Sequence, residues 1–129
     1  MKTETFIVDD DPVICLIHRK LLSASAFGPE TKVFNDGLAA ANFLREHFDS
    51  ETKYFIFLDL NMPVMDGFEF LTEIKDQYPP ENIRVSIVTS SIFGEDREKA
   101  KQFPHVTGFI EKPLSTAKLQ QLQQPGTEN

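Results

Sequence analysis

Four short clusters in this chain carry residues able to do chemistry together. Asp9, Asp10 and Asp11 stand in a row directly after the apolar run FIV. Asp59 follows YFIFL as a single acid, and Thr89, with Ser90 and Ser91, closes the run IRVSIV. Lys112 follows FIE and is held by Pro113. Carboxylates gathered at one place repel and raise each other's pKa unless a cation joins them. Oxygen ligands without a partner His or Cys suit a hard ion, and Mg²⁺ fits best. A carboxylate beside such an ion and a lysine is equipped for phosphoryl chemistry. It can act as nucleophile while the cations neutralise charge on the phosphoryl oxygens.

Those clusters meet only if the elements that carry them align. The chain alternates strand and helix. The first strand is TFIV (5–8), and Pro12 can occupy the first turn of a helix in which Val13, Leu16, Ile17 and Leu21 recur at helical spacing. TKVFN forms a second strand, with Asp36 as N-cap of the helix LAAANFLREHF. The third strand, KYFIFLD, leads to a helix that starts near Asp66, runs through FEFLTEIKDQY and ends at Pro79-Pro80. The fourth strand is IRVSIVTS and the fourth helix GEDREKAKQF; VTGFIE and STAKLQQLQQ complete the series. Five strands alternating with five helices imply an α/β doubly wound parallel sheet covered on both faces. All strand C-termini then lie along one edge, where such folds bind ligands. Each of the clusters ends a strand, so that edge brings them together.

Bulk properties narrow the classes. A length of 129 residues suits one domain, expected over 1–124, with a loose tail at 125–129. No apolar stretch approaches the roughly 20 residues a membrane-spanning helix needs, and MKTETFIVDDD is not a signal peptide, so a cytoplasmic location without membrane contact is expected. The formal charge of −7 leaves no basic stripe to neutralise phosphates and argues against direct nucleic-acid binding. Cys15 is alone and reads as a small buried hydrophobe.

From FIVDDD through DLNMPVMDG and VTSS to FIEKP, almost the whole chain resembles the receiver domain of two-component response regulators. Any one of these motifs would say little; together, in order on successive strand ends, they are specific. The resemblance implies a flavodoxin-like sheet of order 2-1-3-4-5. Asp59 would be the phospho-acceptor, charged by a histidine kinase or a histidine phosphotransfer protein. Asp10, Asp59 and the backbone carbonyl of Asn61 would hold Mg²⁺, with Mn²⁺ able to substitute, and Asp9 would help through a metal-bound water. Thr89 and Lys112 would bind phosphoryl oxygens. Phe109 matches the aromatic switch position coupled to Thr89, while Asn61 and Ser91 would flank the phosphoryl group and tune its lifetime. The readout face would be the fourth helix, fifth strand and fifth helix. The protein would catalyse only its own phosphorylation and dephosphorylation.

With little chain beyond the last helix, a stand-alone receiver is expected, docking an unidentified downstream protein or passing phosphoryl groups on. The short last helix makes self-association no more than weak. Plainer roles suit other residues: Asp11 and Asp66 as helix N-terminal charges, and His18, His47 and His105 as surface or structural groups. Two rivals remain. A haloacid-dehalogenase-type phosphatase would need an acid two residues after its nucleophile, where this chain has Asn61. A pseudo-receiver would bind a partner without phosphorylation, but such modules usually lose an acid or the lysine. No Gly-rich turn follows the first strand, which removes a dinucleotide fold.

Overall fold

The computed structural model describes residues 2–27, 30–90 and 94–122. Five strands alternate with five helices: β1 Lys2–Val8, α1 Pro12–Ser23, β2 Thr31–Phe34, α2 Gly37–His47, β3 Thr52–Leu58, α3 Gly67–Lys75, β4 Ile83–Thr89, α4 Glu95–Ala100, β5 Val106–Glu111 and α5 Thr116–Gln120. The strands form one parallel sheet in the order β2-β1-β3-β4-β5.

Strand alternation divides the core in two. Phe6 and Val8, Tyr54, Ile56 and Leu58, and Ile83, Val85 and Ile87 point to one face, where Leu44 of α2, Phe70, Leu71 and Ile74 of α3 and Ala100 of α4 cover them. Ile7, Phe55, Phe57 and Val88 point to the other, against Cys15 and Leu22 of α1 and Leu119 of α5. Each fully buried large side chain of this kind contributes about 1.5–3 kcal/mol relative to exposure, which is why β1, β3 and β4 read as continuous apolar runs rather than alternating ones.

The ends of the elements follow their caps. Asp11 accepts from the Val13 and Ile14 amides at the start of α1, Asp36 accepts from Ala39, and Asp66 with Glu69 makes a full capping box on α3. Several helices are shorter than their composition suggests. α3 stops at Lys75, and Gln77 and Tyr78 turn back onto Ile74 through backbone bonds before Pro79 is reached. α4 and α5 keep 6 and 5 residues respectively. The expected tail at 125–129 lies outside the described residues. None of the helices described is long and apolar enough to cross a membrane.

In α1 the face differs from the one its apolar spacing marks. Cys15, His18 and Leu22 are buried, whereas Val13, Leu16 and Ile17 are exposed, at 63%, 59% and 43%.

The loop between β3 and α3 is held tightly. Gly67 donates to the Leu60 carbonyl, and a Cβ there would stand 2.7 Å from the Asp59 carbonyl oxygen and 2.8 Å from Leu60 Cα. Gly37 donates to the Met65 carbonyl, where a Cβ would meet the same oxygen at 2.7 Å. Both glycines are needed for close approach of backbone to backbone. Between them, the Met65 amide bonds the Pro63 carbonyl around Val64, whose φ is +69°. That is the positive-φ form of the γ-turn, strained for a β-branched residue.

Candidate functional site: an acidic cluster with a lysine at the strand ends

Register brings the predicted residues to one edge. Val8 lies opposite Leu58, so the next residues, Asp9 and Asp59, leave the sheet side by side. The Asp59 amide donates to the Val8 carbonyl, which continues the ladder one step beyond the strand. Thr89 pairs with Glu111, and the Lys112 amide donates to the Thr89 carbonyl. Strands β1, β3, β4 and β5 therefore hold the site through their own backbone bonds.

The lysine bridges two acids. Lys112 Nζ lies 2.8 Å from Asp9 Oδ2 and 3.5 Å from Asp59 Oδ2. Asp9 and Asp59 are buried, and Asp10 is exposed. One carboxylate oxygen from each of the three lies within 4.8 Å of the others. Asp9 Oδ1 also accepts from the Asp11 amide at 3.0 Å. Asn61 is exposed beside this cluster, while Leu60 between it and Asp59 is buried in the core.

Electrostatics follow from burial. Desolvation raises the Asp59 pKa above the ordinary carboxylate value, and the Asp9 charge adds to the rise; Lys112 and the Asn61 amide oppose it. For Lys112, burial pulls the pKa down, but the hydrogen bond to Asp9 and the charges of both acids outweigh it and leave the ammonium raised. The site is thus a compact group of oxygens and one cation in which a carboxylate is poorly solvated. An all-oxygen donor set at this spacing fits a small hard cation.

Sequence reasoning reaches most of this site, and the structure adds its supports. Thr89 is buried at the end of β4. Phe109 lies opposite Ile87, and the Arg97 guanidinium of α4 covers its ring at 4.6 Å. Ser91 lies outside the described residues. Three supports have no clear sequence signal. Cys15 Sγ donates to the Asp9 carbonyl at 3.2 Å, and burial followed by the Asp9 charge raises its thiol pKa to about 11, so it stays a neutral donor. His18 is buried, and its Nε2 accepts from the Leu114 amide at 3.2 Å. Burial, aided by the Lys112 charge and opposed by Asp9, lowers its pKa. Lys118 Nζ donates to the Glu111 and Pro113 carbonyls at 2.7 and 3.0 Å. The Lys112–Pro113 peptide bond between these supports is cis.

Known proteins share the pattern. Response regulator Rcp1 of Synechocystis is 34% identical over 109 residues, 82% of this chain and 74% of its own length. The polar-differentiation response regulator DivK of Brucella ovis is 30% identical over 115 residues, 89% of this chain and 88% of its own. Among solved structures, a response regulator receiver protein from Dyadobacter fermentans superposes with a TM-score of 0.78 at 30% identity, covering 91% of each chain. The receiver domain of sensor histidine kinase PA1611 from Pseudomonas aeruginosa, a structure with a magnesium ion coordinated in its active-site cleft, shares the fold with a TM-score of 0.73 at 22% identity over 93% of each chain. The family model for the response regulator receiver domain matches residues 5–124. With that match laid over the acids of β1 and β3 and the lysine after β5, the chain belongs to the response regulator receiver domain family.

Proposed function

We propose that this receiver accepts a phosphoryl group on Asp59 from a phosphohistidine of a histidine kinase or phosphotransfer protein. The observation that carries the reading is the Asp9, Asp10 and Asp59 oxygen cluster with Lys112 Nζ 3.5 Å from Asp59. An Asp59 carboxylate oxygen attacks phosphorus; the new O–P bond forms as the P–N bond to the imidazole breaks. The imidazole leaves with the bonding electron pair and takes up a proton. Lys112 neutralises part of the charge on the phosphoryl oxygens, and Thr89 donates to one of them. Return to the carboxylate follows attack of water on phosphorus, which breaks the Asp59 O–P bond and releases inorganic phosphate, with Asn61 and Ser91 as the residues that set its rate.

Asp10, Asp59 and the Asn61 carbonyl would hold Mg²⁺, or Mn²⁺, with Asp9 acting through a coordinated water. When bound, the ion screens the negative charge that gathers at the acceptor. The donor must bring phosphorus into bonding distance of Asp59, so its surface rests on what borders the cluster. There α1 exposes Val13, Leu16 and Ile17, a small apolar stripe suited to a helical donor. Output runs through Thr89 and Phe109 to α4, β5 and α5, where a downstream protein docks. Arg97 stacked on Phe109 links ring position to helix position.

Intact-protein mass after treatment with acetyl phosphate tests the reading. The expected result is a gain of one phosphoryl group that requires both Mg²⁺ and Asp59. If the folded wild type gains no mass and forms no beryllofluoride complex, the chain binds its partner without phosphorylation and the reading fails.

A further inference from the structure

The residues that define α1's buried face do more than fill the core. Cys15 and His18 are one turn apart, and each grips the backbone of a different loop. Cys15 bonds the carbonyl of Asp9, and His18 accepts the amide of Leu114. Asp9 and Lys112 are the partners of the 2.8 Å ion pair, so one helix spans both sides of it. Two other bonds hold the segment around Lys112, the Lys112 amide on the Thr89 carbonyl and the Lys118 ammonium on Glu111 and Pro113, while the Lys118 and Leu119 amides bond Ser115 within the start of α5. The first lies before the Lys112 side chain in the chain direction. The second comes from a part-exposed, flexible side chain. Of the hydrogen bonds that hold the loop beyond Lys112 among the described residues, the one to His18 is buried, and it sits beside the Leu114 side chain packed in the core. The His18 ring has little rotamer freedom in the core, and an unmade bond would leave the Leu114 amide buried without a partner, so the contact is strongly specified.

We propose that His18 is a positioning residue for Lys112: by accepting the Leu114 amide across 96 residues of sequence, it fixes where the ammonium stands between Asp9 and Asp59. The inference rests on the reading of Asp59 as phospho-acceptor only for its kinetic consequence. The placement itself is a property of the unmodified protein. An accepting Nε2 puts the ring proton on Nδ1. Glutamine carries its amide oxygen the same number of bonds from the backbone as Nε2, whereas asparagine is one bond short. The two substitutions are equally polar and differ in reach.

The test compares His18→Gln and His18→Asn with wild type on the full chain. In the magnesium-free protein, NMR follows the Lys112 Cε resonance and hydrogen exchange at the Leu114 amide. With Mg²⁺ present, the acetyl phosphate reaction rate and the Mg²⁺ affinity are measured separately. The expected result is faster Leu114 exchange and a shifted Lys112 Cε in the Asn variant, both restored in the Gln variant. The phosphorylation rate should fall roughly tenfold in Asn and recover in Gln, with Mg²⁺ affinity unchanged, since a displaced charge costs rate more than binding. Should the two variants match each other in all four measurements, the inference is overturned, because filling the space would then be His18's whole role. A wild type that takes no phosphoryl group, with Lys112 Cε still moving in Asn and returning in Gln, would sink the functional reading and leave the placement standing.

Discussion

At the scale of single residues, the site is a balance between burial and charge. Asp59 has its pKa raised by burial and by Asp9, so its ionised form costs stability. The sign follows: stability from this group is complete below the unfolded carboxylate value, roughly 3.9, and is lost as pH rises through the higher folded value. Asp59→Asn should therefore raise Tm at neutral pH without Mg²⁺, and the gain should shrink as the protein is acidified; thermal melts at several pH values check this. Lys112→Ala removes the cation from two buried acids and should cost about 2–3 kcal/mol at neutral pH, part of which Mg²⁺ restores, as urea titrations with and without the ion would show. That variant should still accept some phosphoryl group yet fail to pass the change to a partner; normal partner binding after phosphorylation would refute the role of Lys112 in the switch.

At the scale of elements, backbone packing in the β3–α3 loop helps set where Asp59 stands. Gly67→Ala would place a Cβ 2.7 Å from the Asp59 carbonyl oxygen, and the neighbour is backbone that cannot swing away. Its expected cost is about 1–3 kcal/mol by chemical denaturation, with slower phosphorylation although no reacting group is altered. Val64 is exposed at positive φ, so Val64→Gly relieves strain and should raise the urea midpoint by the equivalent of about 1 kcal/mol. The same scale shows what a sequence reveals. Asp9, Asp59 and Thr89 were legible because each ends an apolar run, and Lys112 because it follows the fifth strand directly before a proline; parallel topology sends such ends to one edge. α1 was read on its wrong face. Val13, Leu16 and Ile17 are apolar and exposed, while the inward stripe contains a histidine, which hydropathy scores as polar although its one accepting nitrogen is satisfied. The cation over Phe109 and the grip on Leu114 join residues 12 and 96 positions apart, respectively, and no local pattern encodes such contacts.

For the whole molecule, the sheet separates the two proposed partner surfaces. α1 and α5 cover one face, and α2, α3 and α4 the other. The apolar stripe of α1 and the Arg97–Phe109 contact therefore lie on opposite sides of the sheet, joined through the site at its edge. Leu16→Glu should slow phosphotransfer from a protein donor roughly tenfold or more, as loss of a central apolar contact does, and leave the acetyl phosphate reaction unchanged. Equal slowing of both would place the defect in the site and not in docking.

The partners of the ion pair also differ in when they become available. β1 and β3 are neighbours in the sheet and bring Asp9 and Asp59 together, but Lys112 follows the last strand. A chain leaving the ribosome N-terminus first has both acids long before it has their counter-charge. Until residue 112 emerges, closing β1 on β3 sets two carboxylates against each other without the ammonium that pairs with both. A polypeptide cut short before residue 112 therefore keeps both acids without the ammonium that pairs with them, the same imbalance that Lys112→Ala creates in the full chain.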